Sequence, residues 1–252
     1  ASVLNKKIET KIIFPKKNSE EFKLHCSAFG VKYLPLSLTT MSNNLISILK
    51  YLVLFPYEIL ILLFTFKKHR FDLVHVSGGC WQFKGVIAAK LAKLKVIWHL
   101  NDTKSPFFIR KIFSYLSSSA NSFIFASEKT KEYYINLIPS KTKNFLIQSP
   151  VDTDYFDPNI KYPIEELKKK YSLAKKTVIG TIGNINRNKD HITLLKTAKI
   201  ISSYSKDMIF LIVGPVYQSQ KKYFMSLMDM IKKEEINNIL FLDGKEDVRP
   251  FL

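Results

Sequence analysis

The sequence predicts an α/β protein built on parallel sheets, on three observations. Short apolar runs alternate with stretches of helical spacing along the whole chain, the pattern that strand, helix, strand units produce. Twice a strand-like run opens into glycine and then into a helix, at FDLVHVSGG and at VIGTIGNINRNKD. The length, 252 residues, suits two such domains of modest size better than one.

The elements follow in order. Ile8 to Phe14 reads as a strand, Ser19 to Phe29 as a helix closed by Gly30, and Val31 to Leu36 as a strand. Leu45 to Phe66, LISILKYLVLFPYEILILLFTF, is the most apolar stretch, and the cationic KKHR follows it. Its length approaches the roughly 20 residues of a membrane span. Lys50, Pro56 and Glu58 oppose a span, because a charge near the centre costs about 2.5 to 3.5 kcal/mol. Two shorter helices meeting at Pro56 are expected, either wholly core or lying in a membrane interface with Lys67, Lys68 and Arg70 on anionic headgroups. Phe71 to Val76 is a strand entering Ser77-Gly78-Gly79, and Trp81 to Leu94 has helical spacing. Lys95 to Leu100 is a strand that carries His99 and Asn101-Asp102 to its carboxyl end, where open parallel sheets bind ligands. On position alone His99 is a structural histidine.

A helix through Ser119 follows the loop Thr103 to Phe108, then a strand over Phe123 to Ala126, a helix from Ser127 to Leu137, and a strand over Phe145 to Gln148. SPVDTDYFDPN, residues 149 to 159, is polar and turn-rich and marks a linker. Asp152 and Asp154 fall in it with a metal-like spacing, but turn and capping roles suit that setting better. The expected domains are therefore 1–158 and 159–252. In the second, Glu165 to Tyr171 is a basic helix. Val178, Ile179 and Ile182 form a buried parallel strand ended by Gly183, and Asp190 caps a helix with Ile192, Leu195, Ala198 and Ile201 on one face. Asp207 to Val213 is a strand closed by Gly214-Pro215, Gln218 to Lys233 a helix, Ile239 to Leu242 a strand closed by Asp243-Gly244, and EDVRPFL the start of a helix.

Composition narrows the partners. With 39 basic and 21 acidic residues the formal charge is +18, which favours anionic ligands. The basic residues are dispersed through every segment, which argues against a nucleic-acid module. Cys26 and Cys80 belong to no metal-binding spacing, and a reduced, cytoplasmic setting fits them. The first residues show no signal-peptide succession, and the chain reads as a segment of something longer. In the loop 183–190, Arg187 and Lys189 stand beside a helix start, a plausible diphosphate seat. A solvated basic turn accounts for the same residues equally well.

Several of these stretches together resemble the retaining nucleotide-sugar glycosyltransferases of family 4. FDLVHVSGG with KVIWHLND is similar to the family's strand, loop and strand leading to a cleft histidine. SPVDTDYFDP is similar to its interdomain NGVDxxxFxP segment, GNINRNKD to its GRxxxxKG phosphate loop, and FLIVGP and FLDGKEDV to the strand ends that hold the nucleotide. The resemblance implies a GT-B fold of two Rossmann-like domains, the second incomplete here. Its glycine-rich acceptor loop would precede this chain, and its paired glutamates would lie beyond Leu252.

Residue by residue, the resemblance makes His99 the catalytic-cleft histidine and places the donor diphosphate on Gly183, Asn184, Arg187 and Lys189. Asn184 stands where the family has arginine. A neutral amide cannot replace guanidinium charge, so Arg187 is expected to compensate. Ser127 falls on a serine that starts a helix at the cleft, Gly214 and Gly244 on backbone that approaches the nucleotide, and Lys245 near the base. No metal and no cofactor are implied beyond the nucleoside-diphosphate sugar as substrate. The acceptor would be a glycan or lipid-linked glycan, as in bacterial surface polysaccharide synthesis. Placement would be cytoplasmic, at the inner membrane face if the apolar stretch is interfacial. The rival readings are a non-catalytic binding module of the same fold, docking on a membrane or partner, and a nucleotide-sugar epimerase.

Overall fold

A computed structural model describes residues 8–17, 19–40, 45–245 and 247–252. The chain divides into two units, Ala1–Pro150 and Val151–Leu252.

In the first unit, β1 (Lys11–Pro15) and β2 (Lys32–Leu36) pair in parallel across α1 (Glu20–Ala28). Gly30, at φ +62°, turns the chain out of α1, a conformation that glycine adopts without steric cost. A second parallel sheet runs in sequential order through β3 (Leu73–Ser77), β4 (Lys95–Leu100), β5 (Ser122–Phe125) and β6 (Lys143–Leu146). Side chains alternate across β4: Val96, Trp98 and Leu100 are fully buried, while Ile97 and His99 take the other face. Trp98 registers with Val76 on β3 and Phe123 on β5. The helices α3 (Phe83–Leu91) and α4 (Phe107–Ser117) cover this inner face, with Phe83 and Phe113 edge-on to Trp98. Then α5 (Glu128–Tyr134) adds Tyr134 against Phe113. The two cysteines are buried and unpaired.

The stretch expected to form two helices forms one, α2 (Leu45–His69), with Pro56 inside it. Proline removes the N–H that would reach the Leu52 carbonyl, but Leu52 and Pro56 both face solvent, where water can serve that carbonyl. On the opposite side Tyr51, Glu58, Ile59, Leu62 and Phe66 are buried, so one core holds both halves in line. Glu58 is 1% exposed and forms a close ion pair with Lys84 of α3. Its carboxylate also accepts from the Thr39 amide at 2.7 Å and hydroxyl at 3.2 Å. Lys84 Nζ donates to the Thr39 carbonyl at 3.2 Å and sits 3.6 Å from the Tyr51 ring centroid. Burial lowers the Lys84 pKa, with Glu58 opposing, and burial raises the Tyr51 phenol to about 12.

The second unit holds α6 (Ile164–Lys170) and a parallel sheet of β7 (Thr177–Ile182), β8 (Met208–Val213) and β9 (Ile239–Leu242), in that order. The helices α7 (His191–Ser202) and α8 (Lys221–Lys233) pack Leu195, Ala198 and Leu227 with Phe210 and Ile212 of β8. Three details depart from expectation. First, β7 is an edge strand rather than a buried one, with Val178 36% exposed. Likewise β6, an exposed edge, begins two residues earlier than its apolar residues suggest, because pairing with β5 sets its register. Last, the terminal stretch forms only a 3-10 turn, Arg249–Phe251, and Glu246 lies outside the described residues. Asp152 takes the expected turn role, its carboxylate accepting from the amides of Asp154 and Tyr155. The Arg249 guanidinium lies 3.8 Å over the Tyr155 ring and pairs with Asp247.

Candidate functional site

The carboxyl ends of β7, β8 and β9 are drawn together by backbone. The Gly183 amide donates to the Val213 carbonyl at 2.9 Å, the Gly214 amide to Leu242 at 3.0 Å, and the Ile185 amide to Pro215 at 3.0 Å. A Cβ on Gly214 would stand 2.0 Å from the Gly183 carbonyl oxygen, so no side chain fits there. A Cβ on Gly244 would meet Pro215 at 3.1 Å. Lys245 follows, exposed.

The loop after β7 is held by its own amides. Asn184 Oδ1 accepts from Asn186 Nδ2 at 3.0 Å, and Asn186 Oδ1 accepts from the Asn188 amide at 2.9 Å, capping the 3-10 turn Arg187–Lys189. Lys189 folds back over Gly183, where an added Cβ would find its Cε at 3.3 Å and its Nζ at 3.7 Å. The structure therefore brings together Gly183, Lys189 and Gly214, with Asn184 one residue on. Arg187 turns toward α8, its guanidinium 5.1 Å from the Tyr223 ring centroid. Asp190, at φ +49°, occupies the N-cap position of α7, but its carboxylate accepts from the Thr193 hydroxyl at 2.8 Å instead of a backbone amide.

Sequence reading missed two side chains under this loop. Tyr223 is buried, and burial raises its phenol while the His191 and Ile192 amides of α7 lower it. Its ring lies 6.3 Å from that of His191, the first residue of α7. His191 is 2% exposed, its Nδ1 has no partner, and burial is the main cause of its lowered pKa. An apolar helix face gave no cue to either.

In the first unit His99 lies on the sheet face opposite Trp98. Its ring stacks on His75 at 5.4 Å and 7° between planes, and its Nε2 is buried without a hydrogen-bond partner. Burial lowers the pKa of both rings, and the charge of His99 lowers that of His75 further. Ser127 is the N-cap of α5, accepting from the Thr130 amide at 3.1 Å, so its hydroxyl has a structural task.

Around the ends of β3 and β4 a further network appears. Gly79, at φ +95°, backs onto Asp102, whose carboxylate would overlap any Cβ there, and its carbonyl accepts from Trp98 Nε1 at 3.0 Å. Tyr134 donates to Asp102 Oδ1 at 2.6 Å, and burial with the Asp102 bond raises its phenol. Cys80 is buried beside them, and burial raises its thiol. Among the described residues no group of three His, Cys, Asp or Glu side chains is placed to hold a metal ion.

No family model matches the chain, and no curated protein matches it significantly. Solved structures do. HepE of Anabaena, solved with UDP-glucose, aligns at 18% identity over 92% of this chain and 60% of its own, with a TM-score of 0.72. A glycosyltransferase of Rickettsia africae aligns at 17% identity over 96% of this chain and 61% of its own, TM-score 0.70. Sucrose-phosphate synthase of Thermosynechococcus elongatus aligns at 12% identity over 100% of this chain and 64% of its own, TM-score 0.71. The chain thus spans 60 to 64% of the length of these structures. At such identities the likeness is one of fold, and with parallel sheets in both units the fold is α/β of the GT-B type.

Proposed function

We propose that this chain is part of a nucleotide-sugar glycosyltransferase and that the loop 183–190 seats the donor diphosphate. The observation that carries this reading is the Lys189 ammonium folded over Gly183, against backbone that Gly214 allows to approach. A cation fixed beside bare backbone suits a diphosphate, whose charge grows as the bond to the anomeric carbon breaks. HepE was solved with UDP-glucose bound, which supports the donor class. In this reading Lys189 supplies the charge stabilisation that a metal ion supplies in other transferases, and transfer is metal-independent.

Arg187 replaces the cation missing at Asn184 by swinging from the Tyr223 face to the phosphates. Gly244 and Lys245 border the nucleotide. His99 is assigned to the reacting sugar or its phosphate, supported by a buried Nε2 that no protein group uses. The domain division is taken as 1–158 and 159–252, the acceptor as a glycan or lipid-linked glycan, the stereochemistry as retention, and the setting as bacterial surface polysaccharide synthesis.

Titration calorimetry with UDP tests the site. Lys189→Ala is expected to weaken binding about tenfold, roughly 1.4 kcal/mol, and Arg187→Ala to weaken it less. Binding unchanged in Lys189→Ala sinks the assignment. Turnover of a UDP-sugar to free product without any acceptor would favour the epimerase reading.

A further inference from the structure

One side of α2 is built into the first unit, and the side chains of the other are exposed. Leu45, Leu49, Leu52, Val53, Leu60 and Phe64 are 49 to 80% exposed. At 100° per residue these six fall within an arc of roughly 120°, opposite the buried strip. That arc holds no carboxylate, since the helix's one acid, Glu58, is buried on the inner side. The charges that α2 itself places beside it are cationic: Lys50 on the flank, Lys67 and Lys68 at the carboxyl end, all exposed.

We infer that this outer face of α2 docks on an anionic lipid surface, with the helix axis lying in the membrane plane. Apolar side chains enter the boundary between headgroups and acyl chains, and the lysines meet lipid phosphates. A span is excluded by the inner side. The buried strip runs from Tyr51 to Phe66, roughly 22 Å of helix at 1.5 Å per residue, and crossing the bilayer would strip Glu58 from Lys84 and Thr39.

The occupant is lipid, not a second copy, because the border carries a single sign of charge on a chain of formal charge +18. Two such faces would repel where they met. A second exposed patch agrees. In α4, Phe107, Phe108, Ile112 and Tyr115 are 42 to 83% exposed, with Lys111 Nζ 4.7 Å from the Phe107 ring centroid. The helices that carry the two patches share one neighbour, α3, which packs against both. Aromatic rings beside lysines are what a membrane boundary favours.

The test is co-sedimentation of the whole chain with vesicles of phosphatidylcholine alone and of phosphatidylcholine with phosphatidylglycerol. At low salt the chain is expected to pellet with the anionic vesicles and to release as salt rises. Val53→Asp/Phe64→Asp is expected to lower partitioning at least tenfold with an unchanged circular dichroism melt, both side chains facing outward. Lys67→Glu/Lys68→Glu is expected to weaken only the anionic case. In a Phe64→Trp variant, lipids brominated near the headgroup should quench more than those brominated near the chain ends.

Failure to pellet with anionic vesicles at low salt, or equal pelleting by Val53→Asp/Phe64→Asp, overturns the inference. So does a dimer, by light scattering, that dissociates in that variant. The inference does not rest on glycosyl transfer, since vesicle binding requires no nucleotide.

Discussion

Gly214 leaves no room for another side chain, which makes it a sharp test of the second unit. With the Gly183 carbonyl oxygen 2.0 Å from where a Cβ would stand, Gly214→Ala must push two strand ends apart. It is expected to cost at least about 2 kcal/mol, read as a lower circular dichroism midpoint, and to weaken UDP binding as well. The His75–His99 stack makes a pH prediction. Both pKa values lie below the ordinary value near 6.5, so the unfolded chain takes up protons first as pH falls. The stabilisation is complete above about pH 6.5 and is withdrawn as pH drops from there toward the lowered folded-state values. Unfolding followed by Trp81 and Trp98 fluorescence, which reports on the first unit alone, should show stability falling from pH 7.5 to 5.5. The fall should be shallower in His75→Gln/His99→Gln; an unchanged slope would remove the stack from the account.

The Glu58–Lys84 pair fastens α2 to α3, and breaking one half strands the other charge. Glu58→Ala is expected to destabilise the first unit by about 3 to 5 kcal/mol, whereas Glu58→Leu/Lys84→Met recovers most of that loss. Neither the pair nor the single helix could be read from the chain. Pro56 is a genuine local breaker, and the packing of Phe55 before it and Ile59, Leu62 and Phe66 after it on one core overrides it. Strands whose limits were legible, Lys95–Leu100 and Ile239–Leu242, are bounded by polar or glycine-containing turns. The edge β6 misled because exposed pairing follows a neighbour's register, not hydrophobicity; β7 kept the extent its apolar run marked and misled only in burial, because that run does not show that the strand lies at a sheet edge. The same divide runs through the site. Gly183 and Lys189 lie six residues apart in one loop, so their meeting was legible. The meeting of Gly79, Asp102 and Tyr134 required three strands and a helix to be placed first, and the contact of Tyr223 with α7 required a packed helix pair.

At the scale of the whole molecule the two units carry separate cores. Limited proteolysis is expected to cut first in the turn-rich stretch between Pro150 and Pro163, leaving two fragments that resist further digestion; early cuts inside β4 or β8 would contradict separate cores. The Glu58–Lys84 pair also has a consequence for biosynthesis. Lys84 lies 26 residues after Glu58, so α2 leaves the ribosome before the residue that neutralises its acid. In that interval it is an apolar segment long enough to cross a bilayer, opposed chiefly by one carboxylate and one lysine. Arrival of Lys84 and Trp98 converts the segment into a core helix, and synthesis becomes a race between insertion and folding. A Lys84→Ala chain translated beside membranes should be recovered in the alkali-resistant fraction more often than the natural sequence.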